Sequence, residues 1–146
     1  MESRTEMAIA RFLEGYNCAQ AVFCAFSDDL RFNKNTALKV ACGFGAGMAR
    51  KEEVCGAVSG GIMVIGAKYG RGEEDDRAST ELTYTKTREL MDLFAQKHGT
   101  FICRQLLNGC ELTTEEGQRQ FKEDDLRNKV CIPCVRSAVD ILEGIT

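Results

Sequence analysis

Cysteine is the residue type in this chain most able to do chemistry, because the 146 residues include eight cysteines. A thiolate attacks disulfide bonds, and it also binds zinc and the iron of iron–sulfur clusters. The charged opening segment, residues 1–6, does not resemble an export signal, so we expect the protein in the reducing cytoplasm. In that compartment an excess of cysteine indicates redox or metal chemistry rather than a scaffold of disulfides.

The sharpest local motif is the sequence Cys131-Ile132-Pro133-Cys134. Proline favours the first turn of a helix, so a helix starting at Pro133 would place both sulfurs at its positive end. A thiolate is stabilised there, which makes Cys131 the expected low-pKa attacking thiol and Cys134 its resolving partner. Binding of one metal ion and a purely structural role stay open for this pair. A thioredoxin fold is not expected, because the charged segment before the motif does not resemble a strand.

Two further cysteines stand at predicted helix starts. Cys18 follows Asn17, a residue typical of helix N-caps, and Cys55 precedes Gly56, which leaves room above the sulfur. The helix dipole should lower the pKa of the Cys18 thiol. We therefore favour a functional over a structural role for both residues.

The remaining cysteines give weaker signals. Cys103 lies on the apolar face of its predicted helix, so the residue pattern alone places it in the core. Core positions are also expected for Cys42 and for Cys24, whose helical phase differs from that of Cys18. The pattern leaves Cys110 undecided.

Composition narrows the classes of partner and cofactor. The net charge of −3 leaves no basic excess for a phosphate backbone, so nucleic acid is not an expected partner. The weakly polar stretch 54–67 is shorter than the about 20 apolar residues that span a bilayer, so no membrane-spanning segment is expected. With a single histidine, any metal would be held by thiolates, which indicates zinc or an iron–sulfur cluster.

Helical spacing recurs along the chain, whereas long β-branched alternations are absent, so we predict an all-α single domain over residues 1–146 with about six helices. Ser3 with Glu6 should form a capping box, and Asn17 should cap the second helix. The other predicted features are a third helix capped by Asn35 or Thr36, a break at 43–47, a glycine-rich helix over 55–69, a helix over 80–98, a short helix ending at 108, a charged surface helix or loop at 113–128, and a last helix from Pro133.

The glycine-rich helix should lie at the centre of the fold. It carries four glycines in an apolar sequence, and each costs about 1 kcal/mol relative to alanine inside a helix. We therefore expect another element to pack very close to its backbone at Gly60 and Gly61.

Taken together, five sequence features are similar to those of one protein family: Asn17-Cys18-Ala19-Gln20-Ala21-Val22, Gly45-x-Gly47, Cys55-Gly56-Ala57-Val58-Ser59-Gly60, Cys103-Arg104-x-Leu106 and the late Cys131. The chain thus resembles the C-GCAxxG-C-C family of redox-active proteins of bacteria and archaea. The resemblance implies a helical fold and assigns the family's four cysteines to Cys18, Cys55, Cys103 and Cys131. It therefore moves Cys103 from the core to the site. It also implies a membrane transport system as one candidate partner, because members are often encoded near transporter genes.

These observations leave three functions open, with or without enzymatic turnover. In the first, the thiols of Cys18, Cys55, Cys103, Cys131 and Cys134 carry out thiol–disulfide exchange or electron transfer with a redox partner. In the second, Cys18, Cys55, Cys103 and Cys131 are ligands of an iron–sulfur cluster or of zinc. In the third, the protein is a helical partner of a transport complex and its cysteines are structural.

Overall fold

The computed structural model describes residues 2–146, which fold into helices joined by turns and short loops. Within that range the only extended pairing is one isolated antiparallel bridge, between Val54 and Ile102. The all-α class is confirmed, but the helices outnumber the about six predicted, because several connections form short helical turns. The helices are Arg4–Leu13 (α1), Cys18–Ala25 (α2), Lys34–Ala41 (α3), Gly45–Met48 (α4), Gly56–Tyr69 (α5), Arg77–His98 (α6), Cys103–Leu106 (α7), Glu115–Glu123 (α8) and Ile132–Ile145 (α9), with a 3-10 turn at Cys42–Phe44 and a π-helical segment at Arg127–Cys131.

The first two helices begin where their capping residues predict. The Ser3 hydroxyl accepts the backbone N–H of Glu6 at 3.1 Å, and the Glu6 carboxylate accepts the N–H of Ser3 at 3.3 Å. Asn17 and Gln20 form the same reciprocal pair at the start of α2, with both distances 3.0 Å. These contacts satisfy backbone donors that the helix itself leaves free, and both predicted caps are confirmed.

Two helices begin earlier than predicted. The cap of α3 is Asn33, whose side chain accepts the backbone N–H of Thr36 at 2.9 Å. Asp76 caps α6 by accepting the N–H of Ala78 at 2.9 Å. In each case a suitable acceptor precedes the predicted start, so the helix begins two or three residues earlier. The charged segment 113–128 contains α8, which Thr114 caps.

The glycine-rich helix α5 lies at the centre and packs against α2, α6 and α9. A Cβ atom added at Gly60 would lie 2.6 Å from the carbonyl oxygen of Ala19 on α2. One added at Gly61 would lie 2.8 Å from the side chain of Leu90 on α6 and 3.3 Å from that of Leu142 on α9. The predicted close packing at Gly60 and Gly61 is confirmed.

The last helix differs from the prediction at its start. Instead of beginning at Pro133, α9 continues directly from the π-helical segment Arg127–Cys131, and the N–H of Ile132 donates to the carbonyl of Arg127. Proline lacks an N–H and its ring crowds the carbonyl four residues earlier, which the wider π-turn relieves. Cys131 and Cys134 therefore lie inside a continuous helical segment, and the predicted helix start between them is wrong.

The short element α4 is not a regular right-handed helix, because it is part of a left-handed turn that follows the 3-10 turn. Backbone φ angles are positive at every residue from Ala46 to Arg50, and again at Glu52. The turn is closed by hydrogen bonds from Ala49 N–H to the Gly45 carbonyl at 3.0 Å and from Glu53 N–H to the Gly47 carbonyl at 2.9 Å. A left-handed conformation costs roughly 1–2 kcal/mol for each non-glycine residue, so tertiary contacts must hold this turn in place.

Apolar side chains form one main core between α1, α2, α5, α6 and α9. A smaller core begins at α7 and continues into the residues that follow it; its members are Cys103, Leu107, Cys110 and Leu112. The two cores meet at Val130 and Cys131, which pack against both. Among the helices of residues 2–146, none combines the length and the apolar character needed to cross a membrane.

Candidate functional site

The start of α2 lies against the start of α5, which brings Cys18 close to Cys55. Cys18 is the first residue of α2, and Cys55 is the N-cap of α5. A Cβ atom added at Gly56 would lie 3.2 Å from both the Cys18 Cβ and the backbone nitrogen of Ala19. The helices can approach this closely because Gly56 and Gly60 present bare backbone to α2.

Cys103 is positioned by a short pairing between two loops. The N–H of Cys55 donates to the Phe101 carbonyl at 2.8 Å, and the N–H of Cys103 donates to the Glu53 carbonyl at 2.6 Å. The left-handed turn packs against the same place, because a Cβ atom at Gly47 would lie 2.8 Å from the Cys103 Cβ. Cys103 is the first residue of the short helix α7 and is buried in the smaller core, as the residue pattern predicted, while it also lies at this site.

Cys131 and Cys134 reach the other two helix starts from the π-helical segment and α9. The side chain of Cys18 interacts with that of Cys131, and this interaction raises the pKa of Cys18. The side chain of Cys134 interacts with that of Cys55, which lowers the pKa of Cys55 and raises that of Cys134. Four of the five predicted site cysteines thus form two neighbouring thiol pairs, and Cys103 lies close enough for charge on Cys55 or Cys131 to affect its pKa.

A cavity of about 360 Å³ lies in front of these residues, and Cys18, Cys55, Cys103 and Cys131 all line it. Three of the four are buried and Cys131 is half-buried. Cys134 is 1% exposed and lies behind the cavity wall. The cavity also has aromatic walls, at Phe12, Tyr16 and Phe121, and two arginines, Arg50 and Arg127.

Cys55 is the cavity cysteine whose environment favours a thiolate. The hydrogen bond from Cys134 lowers the pKa of Cys55, and the backbone N–H groups of Ala57 and Val58 lower it further, against the effect of burial. Ala57 and Val58 belong to the first turn of α5, so the sulfur lies at the positive end of this helix. A helix start therefore activates this thiol in the way predicted for Cys18 and Cys131.

The expected low pKa of Cys18 is wrong. Its hydrogen bond to Cys131 and its burial both raise the pKa of Cys18 well above the ordinary thiol value, because a donating thiol must keep its proton. The interaction of Cys134 with Cys55, together with burial, likewise raises the pKa of Cys134. The contact with Cys131 and burial therefore change the pKa of Cys18 more than the helix dipole does.

Glu52 is a residue that the sequence analysis missed. Its side chain is buried; Oε1 accepts the N–H of Leu112 at 3.0 Å, while Oε2 has no hydrogen-bond partner among residues 2–146. Burial raises the pKa of Cys103 to about 12, and the charges of Cys55 and Glu52 contribute in the same direction. A glutamate in a charged stretch, here followed by Glu53, carries no sequence signal of burial, so only the structure identifies Glu52.

The other three cysteines lie away from the cavity wall. Cys24 is buried in the core, as predicted, but Cys42 is exposed rather than in the core. Cys110 is buried and donates to the carbonyl of Gly117 at 3.1 Å. Burial, and next the charge of Glu52, raise the pKa of Cys110, so it is held as a thiol.

A metal centre was the alternative use of these thiols. Across residues 2–146, no group of three or more His, Cys, Asp or Glu side chains is arranged to hold a metal ion. In this structure Cys18, Cys55, Cys103 and Cys131 share the cavity wall, but Cys18 is paired with Cys131 and Cys55 with Cys134.

The fold and the site define an all-helical protein whose cysteines are gathered at one cavity. Comparison with protein families agrees with this class: the profile of a family described as "Putative redox-active protein (C_GCAxxG_C_C)" matches residues 16–145. The chain belongs to this C-GCAxxG-C-C family, which confirms the resemblance found in the sequence. Neither a search of curated proteins nor a search of solved structures gave a match.

Proposed function

We propose that the protein carries out thiol–disulfide exchange in the cytoplasm and that Cys55 is its attacking thiol. The observation that supports this most is the environment of Cys55, which lines a cavity and has its pKa lowered by the Cys134 thiol and two backbone N–H groups. A thiolate exposed to a cavity is the species that attacks disulfides. Cys131, for which the sequence predicted this role, instead pairs with Cys18.

The pairing of Cys55 with Cys134 suits a two-step exchange. The Cys55 thiolate attacks one sulfur of a substrate disulfide, a mixed disulfide forms, and the other half leaves as a thiolate that takes the proton of Cys134. The resulting Cys134 thiolate attacks the Cys55 sulfur and displaces the second half of the substrate. Two electrons pass to the substrate, which leaves as one thiol and one thiolate, and a Cys55–Cys134 disulfide remains.

Cys18 and Cys131 supply a second dithiol next to the first. Because the pKa of Cys18 is raised, its thiol stays protonated while the pair is reduced. A disulfide at Cys55–Cys134 could be passed to Cys18–Cys131 by a further exchange, with Cys103 as the neighbour between them. The transfer leaves Cys55 and Cys134 reduced again, and the protein holds four exchangeable electrons when both pairs are dithiols.

The experiment that tests this function is a titration in glutathione redox buffers followed by mass spectrometry of alkylated peptides. We expect a reversible loss of two thiols at Cys55 and Cys134, joined in more oxidising buffers by Cys18 and Cys131, and no Cys55–Cys134 disulfide in Cys55→Ser. Cys24→Ser is the matched control, because Cys24 is buried outside the cavity and should leave the titration unchanged. If Cys55 and Cys134 stayed as thiols across the whole range of buffers, the proposed exchange would be wrong.

A second candidate is an iron–sulfur cluster or zinc ion held by Cys18, Cys55, Cys103 and Cys131. The observation in its favour is that these four line a single cavity. Binding would require the thiol pairs to separate and all four side chains to turn inward. Anaerobic purification with metal analysis distinguishes the candidates: a visible chromophore or stoichiometric zinc that disappears in Cys103→Ser supports the metal, whereas a colourless, metal-free protein with a reversible disulfide supports exchange.

A further inference from the structure

Two arginines lie beside the thiols. Arg50 and Arg127 both line the cavity, and both are exposed, whereas Cys18, Cys55 and Cys103 on the same cavity are buried. The arginines therefore mark the solvent side of the cavity and the sulfurs its inner wall. An incoming molecule meets the two guanidinium groups before it reaches the sulfurs.

Both guanidinium charges are free to bind a ligand. Within residues 2–146, the arginines that form ion pairs with carboxylates are Arg4, Arg11, Arg77 and Arg119. Arg50 and Arg127 are not among them, although the chain has more acidic than basic residues. Two unpaired guanidinium groups at one cavity favour an anionic ligand, since guanidinium matches the geometry of a carboxylate.

The backbone that carries each arginine is irregular. Arg50 has a φ of 67° and ends the left-handed run that starts at Ala46, a conformation that costs free energy and is concentrated at functional sites. Arg127 begins the π-helical segment that ends at Cys131, so a single segment presents both a guanidinium group and a sulfur to the cavity. π-Helical turns are likewise frequent at functional sites.

The size and the walls of the cavity indicate a small organic molecule. Its volume of about 360 Å³ lies at the lower end of the range for small-molecule sites, about 300–1,000 Å³. Phe12, Tyr16 and Phe121 supply apolar surface for a carbon chain. An inorganic anion would use the arginines but would leave these aromatic walls without a partner.

We propose that the cavity binds a small organic disulfide that carries carboxylate groups. Arg50 and Arg127 pair with the carboxylates, the aromatic walls contact the carbon arms, and the sulfur–sulfur bond lies against Cys55. This inference rests on the proposed exchange function and names its substrate class. The reaction is the one described above: the substrate disulfide is reduced to two thiol species, and Cys55 and Cys134 are oxidised to a disulfide.

The experiment measures the rate at which the fully reduced protein loses thiols to three disulfides with equal two-carbon arms. These are dithiodipropionate, which is anionic, hydroxyethyl disulfide, which is neutral, and cystamine, which is cationic. The test variant is Arg50→Gln with Arg127→Gln. The matched control is Arg88→Gln with Arg136→Gln, which removes the same charge from exposed arginines outside the cavity.

We expect the rate with dithiodipropionate, divided by the rate with hydroxyethyl disulfide, to fall about tenfold in the test variant and to stay constant in the control. The same ratio for cystamine should rise in the test variant. Dividing by the neutral rate removes any general effect on thiol reactivity. If the double variant loses its helical circular dichroism, Arg127→Gln alone should lower the ratio about threefold.

Two results would overturn the inference. If the wild-type protein and the test variant show the same ratios, the arginines do not recognise carboxylates, while the reaction with the neutral disulfide still supports the exchange function. If none of the three disulfides oxidises the wild-type thiols, the exchange function fails and the substrate class fails with it.

Discussion

Replacing Gly60 by alanine tests the contact that aligns α2 with α5. The new Cβ atom would lie 2.6 Å from the Ala19 carbonyl oxygen and 3.1 Å from the Ala19 Cα. Both atoms belong to the backbone of α2, so neither can rotate away. The helices must separate, and because Ala19 follows Cys18, the separation also moves Cys18 away from Cys55.

The magnitude follows from comparing two glycines of the same helix. Overpacking of this kind costs about 1–3 kcal/mol, which exceeds the gain of about 1 kcal/mol from placing alanine in a helix. A Cβ atom added at Gly66 would meet nothing within 4 Å, so Gly66→Ala should keep that gain and stabilise the protein. We expect the two variants to differ by about 2 kcal/mol, or about 6 °C in melting temperature.

The assay is urea and thermal unfolding of both variants, followed by circular dichroism, with the protein kept reduced. Gly60→Ala should unfold at lower urea than the wild type, and Gly66→Ala at equal or higher urea. The m-value should stay constant if the denatured state is unaffected. Equal midpoints for Gly60→Ala and Gly66→Ala would refute the close packing of α5 on Ala19 and the account of how Cys18 is positioned.

Three other predictions concern the thiols. Cys134→Ala should lower the thiolate fraction of Cys55 at neutral pH about tenfold, because a hydrogen bond to a charged acceptor is worth about 1.5 kcal/mol. Cys134→Ser should keep much of the thiolate fraction. Rates of iodoacetamide labelling at Cys55, read by mass spectrometry, check this, and equal rates in the wild type and both variants would contradict it. Glu52→Gln should lower the pKa of Cys103 from about 12, because it removes a nearby negative charge but keeps an acceptor for the Leu112 N–H. An unchanged pH profile of Cys103 labelling would contradict an effect of the Glu52 charge on Cys103. The raised pKa of Cys103 also makes the free energy of unfolding depend on pH. Between the ordinary thiol pKa of 9.0 and the folded value of about 12, the unfolded chain loses this proton before the folded protein does, so the free energy of unfolding should fall as pH rises. Urea unfolding of the wild type and of Cys103→Ser over this pH range should show a smaller fall in the variant.

Much of the secondary structure follows from local sequence, because its signals act within a few residues. The Ser3–Glu6 capping box and the Asn17 cap both appear as predicted, and each joins residues three apart. The glycines of α5 carry a second kind of information, since a glycine kept in an apolar helix implies that something approaches its backbone. The predicted contact at Gly60 was correct, but its partner, Ala19, could not be read from the sequence.

The helix around Cys131 shows where local reasoning stops. Pro133 is typical of a first helical turn, and that rule predicted a helix start and a low thiol pKa. The chain instead enters α9 through a π-turn, in which Val130 and Cys131 pack against both cores. Tertiary packing therefore removed the helix end on which the electrostatic argument depended.

By itself the sequence determined the helical class, the starts of α1, α2 and α5, the family and the four cysteines that mark it. Only the tertiary structure decided which thiol is activated, since that depends on the interactions of Cys134 with Cys55 and of Cys18 with Cys131 across more than seventy intervening residues. It also decided the burial of Glu52 and the position of Arg50 and Arg127 at the cavity. The physical reason is range: capping and helical periodicity act over one or two turns, whereas the charge state of a buried thiol depends on whichever donors and charges the fold brings within a few ångströms.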